Sequence, residues 1–143
     1  MAEINIDANG LIVGRMASYA AKQALLGHNI NILNCEKAIM TGNRRLNAEQ
    51  YRYLIRETGQ PQKGPFISRL PDRFVRRQIR GMLPHKKSRG ANAFARILCY
   101  QGVPEEFKSK KLQSLDWAHV KHKTTMKLIT IKELCQAIGG KAQ

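Results

Sequence analysis

The chain has 143 residues and 43% hydrophobic content, which suits one compact domain with an ordinary core rather than two domains or a disordered tail. Lys and Arg number 25 against 10 Asp and Glu, giving a formal charge of +15 and a pI near 10.3. Self-repulsion of that size is tolerated where a polyanion neutralises it. A membrane surface is a poorer match, because the sequence has neither a long apolar span nor a basic helix backed by bulky leucine and aromatic side chains.

In chain order, the N-terminal MAEINIDANG lacks the positive start, apolar middle and small-residue cleavage site of a secretory signal, so a cytosolic location is expected. Ile4 and Ile6 alternate with polar neighbours, as Ile30 and Ile32 do in NINIL, and both segments predict short strands. Between them Ile12, Met16, Tyr19 and Ala20 fall at helical spacing, Ala17 to Leu26 is rich in helix formers, and Gly27 supplies a stop. A strand, helix and strand of these lengths imply a crossover with parallel pairing. Gly10 and Gly14 lie between the first strand and the helix. The phosphate-binding glycine patterns are missing, and Gly14 is assigned to close packing.

Asn43 is placed to cap a second helix from about Arg44 to Glu57, followed by an exposed loop, QPQKGPF. Pro71 suits the first turn of a third helix that runs to about Leu83, before Pro84. Asp72 is the carboxylate expected at its N-terminus, facing the helix dipole, with Arg73 as a second partner. A shorter helix over Ser88–Arg96 leads into ILCY as a buried strand. Lys127–Thr130 suits a last strand, and Thr130 with Glu133 has capping-box spacing for a final helix stopped by Gly139-Gly140. Strands alternating with helices indicate an α/β layered fold.

The charge is segregated. Residues 1–43 balance three basic side chains against three acidic ones, whereas Arg44–Arg96 holds fourteen basic residues against Glu49, Glu57 and Asp72. The tail from Lys108 is more weakly basic, through Lys110, Lys111, Lys121, Lys123 and Lys127. On a helical wheel Arg73, Arg76, Arg77 and Arg80 share one arc, opposite Val75, Ile79 and Met82. Four arginines at i, i+3, i+4 and i+7 without an acid among them repel one another until phosphates arrive, and each offers a planar fork of donors to phosphate oxygens. His85, Lys86, Lys87 and Arg89 continue the cations into a stiff turn, where Gly81 and Gly90 let a partner approach the backbone. Phe66, Phe74 and Phe94 are assigned to the core, so binding is expected to rest on phosphates and RNA shape more than on splayed bases.

Three motifs now carry a resemblance: Asp7 with Gly10–Ser18, then Asn34, Glu36 and Thr41-Gly42, and the heptad Arg80–Lys86, RGMLPHK. The chain resembles the universal ribosomal protein L-thirteen family of the large subunit. Gly64-Pro65-Phe66, Arg69, Pro71-Asp72-Arg73 and Tyr100–Pro104 resemble its archaeal and eukaryotic branch. The likeness spans nearly the whole chain and weakens between Ser109 and Thr125. It implies a three-layer α/β/α fold with a small, mainly parallel four-stranded sheet, as a single domain over residues 1–143. A basic RNA-binding segment at about 60–96 and a basic C-terminal extension belong to it. It further implies a structural constituent of the cytoplasmic ribosome that binds large-subunit ribosomal RNA beside neighbouring ribosomal proteins and supports early subunit assembly. No catalysis, cofactor or small-molecule substrate is implied. The family's RNA contacts, carried to matching positions, are Arg69, Arg73, Arg76, Arg77, Arg80, His85, Lys86, Lys87 and Arg89. Leu70 departs from the basic or small residue usual in that branch and is left out.

Other signals point to no chemistry. Cys35, Cys99 and Cys135 are far apart and set among apolar residues, as buried thiols are. His119 and His122 have no cysteine pair or carboxylate nearby in sequence to complete a metal set, and are assigned with Lys121 and Lys123 to the basic surface. Asp7, Glu36, Asp72 and Asp116 form no pair suited to two-metal nuclease chemistry, which weighs against an RNA-processing enzyme. Trp117 is assigned to packing or a protein contact. Charge by itself leaves a free-standing DNA or RNA regulator open, and the family likeness is what selects the ribosome.

Overall fold

The computed structural model of the chain describes residues 1–122 and 127–141. Strand β1 (Glu3–Asp7) leads through helix α1 (Val13–Leu25) to β2 (Asn29–Leu33), and the two strands pair in parallel with Ile4 opposite Ile30 and Ile6 opposite Ile32. Strand β4 (Ile97–Cys99) adds in parallel to the far side of β2, so the order is β1-β2-β4. Period-two alternation sends the isoleucines to one face, where Ile6, Ile30, Ile32 and Ile97 are fully buried. The same register stacks Asn5, Asn31 and Leu98 on the other, and the Asn31 amide donates to Asn5 and Glu3 at 2.9 Å.

Against the isoleucines lies one core, formed by Met16, Ala17, Ala20 and Ala24 of α1 with Phe74, Val75 and Ile79 of α3 (Pro71–Gly81). The alanine-rich face lets α1 pack on α3 and on α4 (Ser88–Ala95). The mixture of helices around a small, mostly parallel sheet is the layered α/β architecture that the sequence predicts. The sheet itself differs in detail. The last expected strand, β5 (Leu128–Thr130), does not join it and pairs antiparallel with β3 (Ile39–Thr41), a three-residue strand with no alternation to announce it.

The predicted caps form. Asn43 accepts from the Arg45 N–H at 3.0 Å ahead of α2 (Arg44–Arg56). Thr130 and Glu133 exchange bonds of 3.2 Å at the start of α6 (Ile131–Ala137). Helix α3 stops at Gly81, two residues before the expected end, and its last turn continues as Met82 and Leu83 bond back to Ile79 and Arg80. A short helix α5 (Glu105–Lys108) and 3-10 turns at Cys35–Lys37, Asp116–Ala118 and Val120–His122 complete the described chain. No helix among the described residues is long and apolar enough to cross a membrane.

Two glycine assignments change. A Cβ at Gly14 would meet nothing within 4 Å, so close packing does not explain that residue. Gly90 is enclosed, because a Cβ there would run into the Pro84 carbonyl; its role is to let α4 start against the turn that precedes it.

Candidate nucleic-acid interface

Helix α3 begins on Pro71, whose fixed φ suits the first turn, and Asp72 in that turn opposes the helix dipole while accepting from Gln101 at 3.3 Å. No ion pair joins Asp72 to Arg73 among the described residues. With Phe74, Val75 and Ile79 driven into the core, the 3.6-residue period turns Arg73, Arg76, Arg77 and Arg80 outward together. They line an open cleft of about 400 Å³ with Phe66, Ser68 and Phe94, and no acid takes part in its walls. The four ion pairs among the described residues engage Arg44, Arg45, Lys108 and Lys110, none of them from α3 or its turn.

The arginines are not equivalent. Arg76 donates to the Ile97 carbonyl at 3.0 Å and the Phe94 carbonyl at 3.4 Å, and its guanidinium lies 4.3 Å from the Phe94 ring centre. Arg77 donates to the Phe66 carbonyl at 2.9 Å, which ties the preceding loop to the helix. Arg73 and Arg80 make no side-chain hydrogen bond or ion pair among the described residues. Arg73 is exposed and Arg80 half-buried. Elsewhere in the basic segment, Arg44, Arg52 and Arg96 donate to the carbonyls of Leu128, Ala137 and Ala24. Counting charges along the sequence does not distinguish these structural cations from the free ones.

The other predicted contacts lie around the cleft. Arg69 is exposed, but it sits against the end of α6, where a Cβ on Gly139 would be 3.4 Å from the guanidinium carbon. It lines a separate hollow with Pro71, Gln101 and Lys132. His85, Lys86 and Lys87 are exposed on the turn after α3, which is stiffened by backbone bonds from His85 to Leu83 and from Lys87 to Pro84, and Arg89 is exposed in the first turn of α4. Arg89 borders a third hollow, beside Ser18 and Lys22 of α1, together with Met82. Met82, expected on the apolar back of the helix, caps the end of α3 and is 45% exposed.

Phe66 departs furthest from expectation. It is 70% exposed at the mouth of the cleft, whereas Phe74 is buried and Phe94 half-buried beneath Arg76. Its place outside any helix or strand, between Pro65 and Ser68, is the signal that separates it from a core phenylalanine.

The acids and thiols have structural partners. Asp7 accepts from the Asn9 N–H at 3.1 Å and the Asn34 amide at 2.8 Å, and Glu36 accepts from the Gly102 N–H at 3.0 Å. These motif residues fasten the C-terminal end of the parallel sheet, with Asn34 held in the left-handed region at φ 56°. No group of three or more His, Cys, Asp or Glu able to hold a metal occurs among the described residues. Cys35 and Cys135 are buried and Cys99 half-buried, all as free thiols. A hydrogen bond with Cys99 and then burial push the Cys35 thiol up, and burial followed by the charge of Asp72 pushes Cys135 up to about 12. His119 is half-buried with its ring against Gly10, and its Nδ1 accepts from the Lys121 N–H at 3.1 Å. The His122 side chain and Lys123 lie outside the described residues. Trp117 is 54% exposed and meets Tyr19 edge-on at 6.3 Å.

A family model described as Ribosomal protein L13 matches residues 2–106. The large ribosomal subunit protein uL13 of Methanosarcina barkeri is 43% identical over 137 residues, covering 95% of this chain and 97% of the relative. Those of Methanococcus maripaludis and Methanococcoides burtonii are 44% and 39% identical, each again across 95% of this chain and 97% of the relative. With the family match over residues 2–106 and identities of this size along almost the full length, the chain belongs to the ribosomal protein L13 family, a structural and non-enzymatic family of ribosomal components.

Proposed function

We propose that this protein is a structural constituent of the large ribosomal subunit that grips its ribosomal RNA through the arginine cleft of α3 and the cationic turn behind it, and that it supports early subunit assembly. The observation that carries the reading is a cleft walled by Arg73, Arg76, Arg77 and Arg80 with no acid, in which Arg73 and Arg80 have no protein partner among the described residues. Guanidinium groups left without partners on a chain of charge +15 are matched by phosphate oxygens. Lys86 and Lys87 extend the same field along the turn, and Arg89 carries it into α4. The relatives' name places them in the large subunit, and neighbouring ribosomal proteins there are the natural cover for exposed Trp117.

The test is the salt dependence of binding to large-subunit RNA. Replacing both Arg73 and Arg80 with alanine should weaken binding and flatten the log-log slope by roughly 1.4–1.8, at about 0.7–0.9 for each phosphate no longer neutralised. An unchanged slope moves the interface elsewhere. In cells the protein should sediment with large subunits in stoichiometric amount through moderate salt, and its absence from them would reject the ribosomal assignment.

A further inference from the structure

We infer that the cleft receives one unstacked nucleobase, laid against the ring of Phe66, with its flanking phosphates on Arg73 and Arg80. The inference rests on the RNA-binding reading and adds a base-stacking step to it. An exposed phenylalanine forgoes the roughly 1.5–3 kcal/mol that burial of such a side chain provides, so at 70% exposure Phe66 is poorly explained by the fold of the free chain. Its position is nevertheless fixed, since Arg77 holds the Phe66 carbonyl at 2.9 Å and so anchors that residue to a rigid helix.

Within the cleft the functions divide. Arg76 already covers Phe94 and bonds two carbonyls, and Arg77 is bound to the loop, which leaves one open aromatic face and two guanidinium groups without a partner among the described residues. A π surface beside two cations, in about 400 Å³ of open space, matches a nucleotide, which brings a flat base and an anion together. An apolar protein side chain would also cover Phe66, but it would leave Arg73 and Arg80 without counter-charge. Perfect duplex RNA presents phosphates with its bases stacked inside, so it satisfies the arginines and not the ring.

The experiment uses the full chain and two RNA hairpins that differ only by one adenosine bulged from the stem. The wild-type protein should prefer the bulged hairpin. Phe66→Ala should weaken binding to it by about 5- to 150-fold, the range set by removal of one base–aromatic stack, and leave the plain hairpin unchanged. Phe66→Trp should retain the preference, and Phe66→Leu, apolar without a π face, should abolish it. Circular dichroism should match wild type in all three, because the ring is outside the core. Equal binding of the two hairpins by wild type, or an equal weakening on both in Phe66→Ala, overturns the inference. If Phe66→Leu keeps the preference, an apolar contact without a π face selects the bulge, and stacking is rejected. The double substitution of Arg73 and Arg80 separates the two levels: a flattened salt slope on both hairpins with no effect of Phe66 rejects stacking alone, whereas no change from either set of variants rejects the RNA interface itself.

Discussion

Arg76 and Arg80 lie one helical turn apart, yet Arg76 is bonded to the carbonyls of Phe94 and Ile97 while Arg80 has no partner among the described residues. Alanine should therefore act differently at the two sites. At Arg76 it removes charged donors from carbonyls where α4 passes into β4, and should cost about 1.5–3 kcal/mol in a urea titration. At Arg80 it should leave the midpoint near wild type and weaken RNA binding. Equal stability losses would show that Arg80 also holds the fold. Cys135 provides a second residue-level test. Its thiol is pushed up to about 12 from an ordinary value of 9.0, so below pH 9 both folded and unfolded chains keep the proton. Between pH 9 and about 12 the unfolded chain ionises first, so this group's contribution to stability falls as pH rises through that window. Urea midpoints measured at pH 8 and pH 10.5 should drop less in Cys135→Ala than in wild type; identical drops would assign the alkaline loss to other groups.

At the level of elements, the heptad RGMLPHK and the helix after it contain two glycines that look alike in sequence and differ in the fold. Gly81 closes α3 with nothing within 4 Å of a Cβ, so Gly81→Ala should stabilise the free protein by about 0.5–1 kcal/mol. Gly90 faces the Pro84 carbonyl, and Gly90→Ala should destabilise by about 1–3 kcal/mol, the usual range for overpacking. Thermal melts of the two variants should move in opposite directions, and a fall for both would mean that the end of α3 does not tolerate a methyl group. The contrast also marks where sequence stops being informative. Helix α3, the Asn43 cap and the Thr130–Glu133 box were legible because periodicity and capping act within a few residues. Strand β3 was not, since Ile39–Thr41 depends on pairing with Leu128–Thr130, far along the chain. The division of the arginines was not legible for the same reason: the donors of Arg76 and Arg77 end on carbonyls 21 and 11 residues away. Gly14 and Phe66 were misplaced because residue type does not report what packs around a position, and Met82 because the helical wheel gives a side chain's direction and not what lies opposite it.

Across the whole molecule, a charge of +15 is opposed by four ion pairs among the described residues, all at the surface. Such pairs contribute little each, so repulsion should dominate in the free chain. Raising sodium chloride from 0.1 to 1 M shortens the screening length from about 10 to 3 Å and should raise the melting temperature of the isolated protein, while weakening its hold on RNA over the same range. A melting temperature that falls with salt would mean that attraction prevails within the fold. The bond from Arg77 to the Phe66 carbonyl also has a kinetic consequence. A loop that had to rearrange on its target would add a step to each encounter, whereas one already tied to α3 would meet the proposed RNA in place. Capture should then proceed as a single step at the electrostatically steered limit, on the order of 10⁸ M⁻¹s⁻¹ in dilute salt, and breaking the tether with Arg77→Ala should turn it into a slower, two-phase approach.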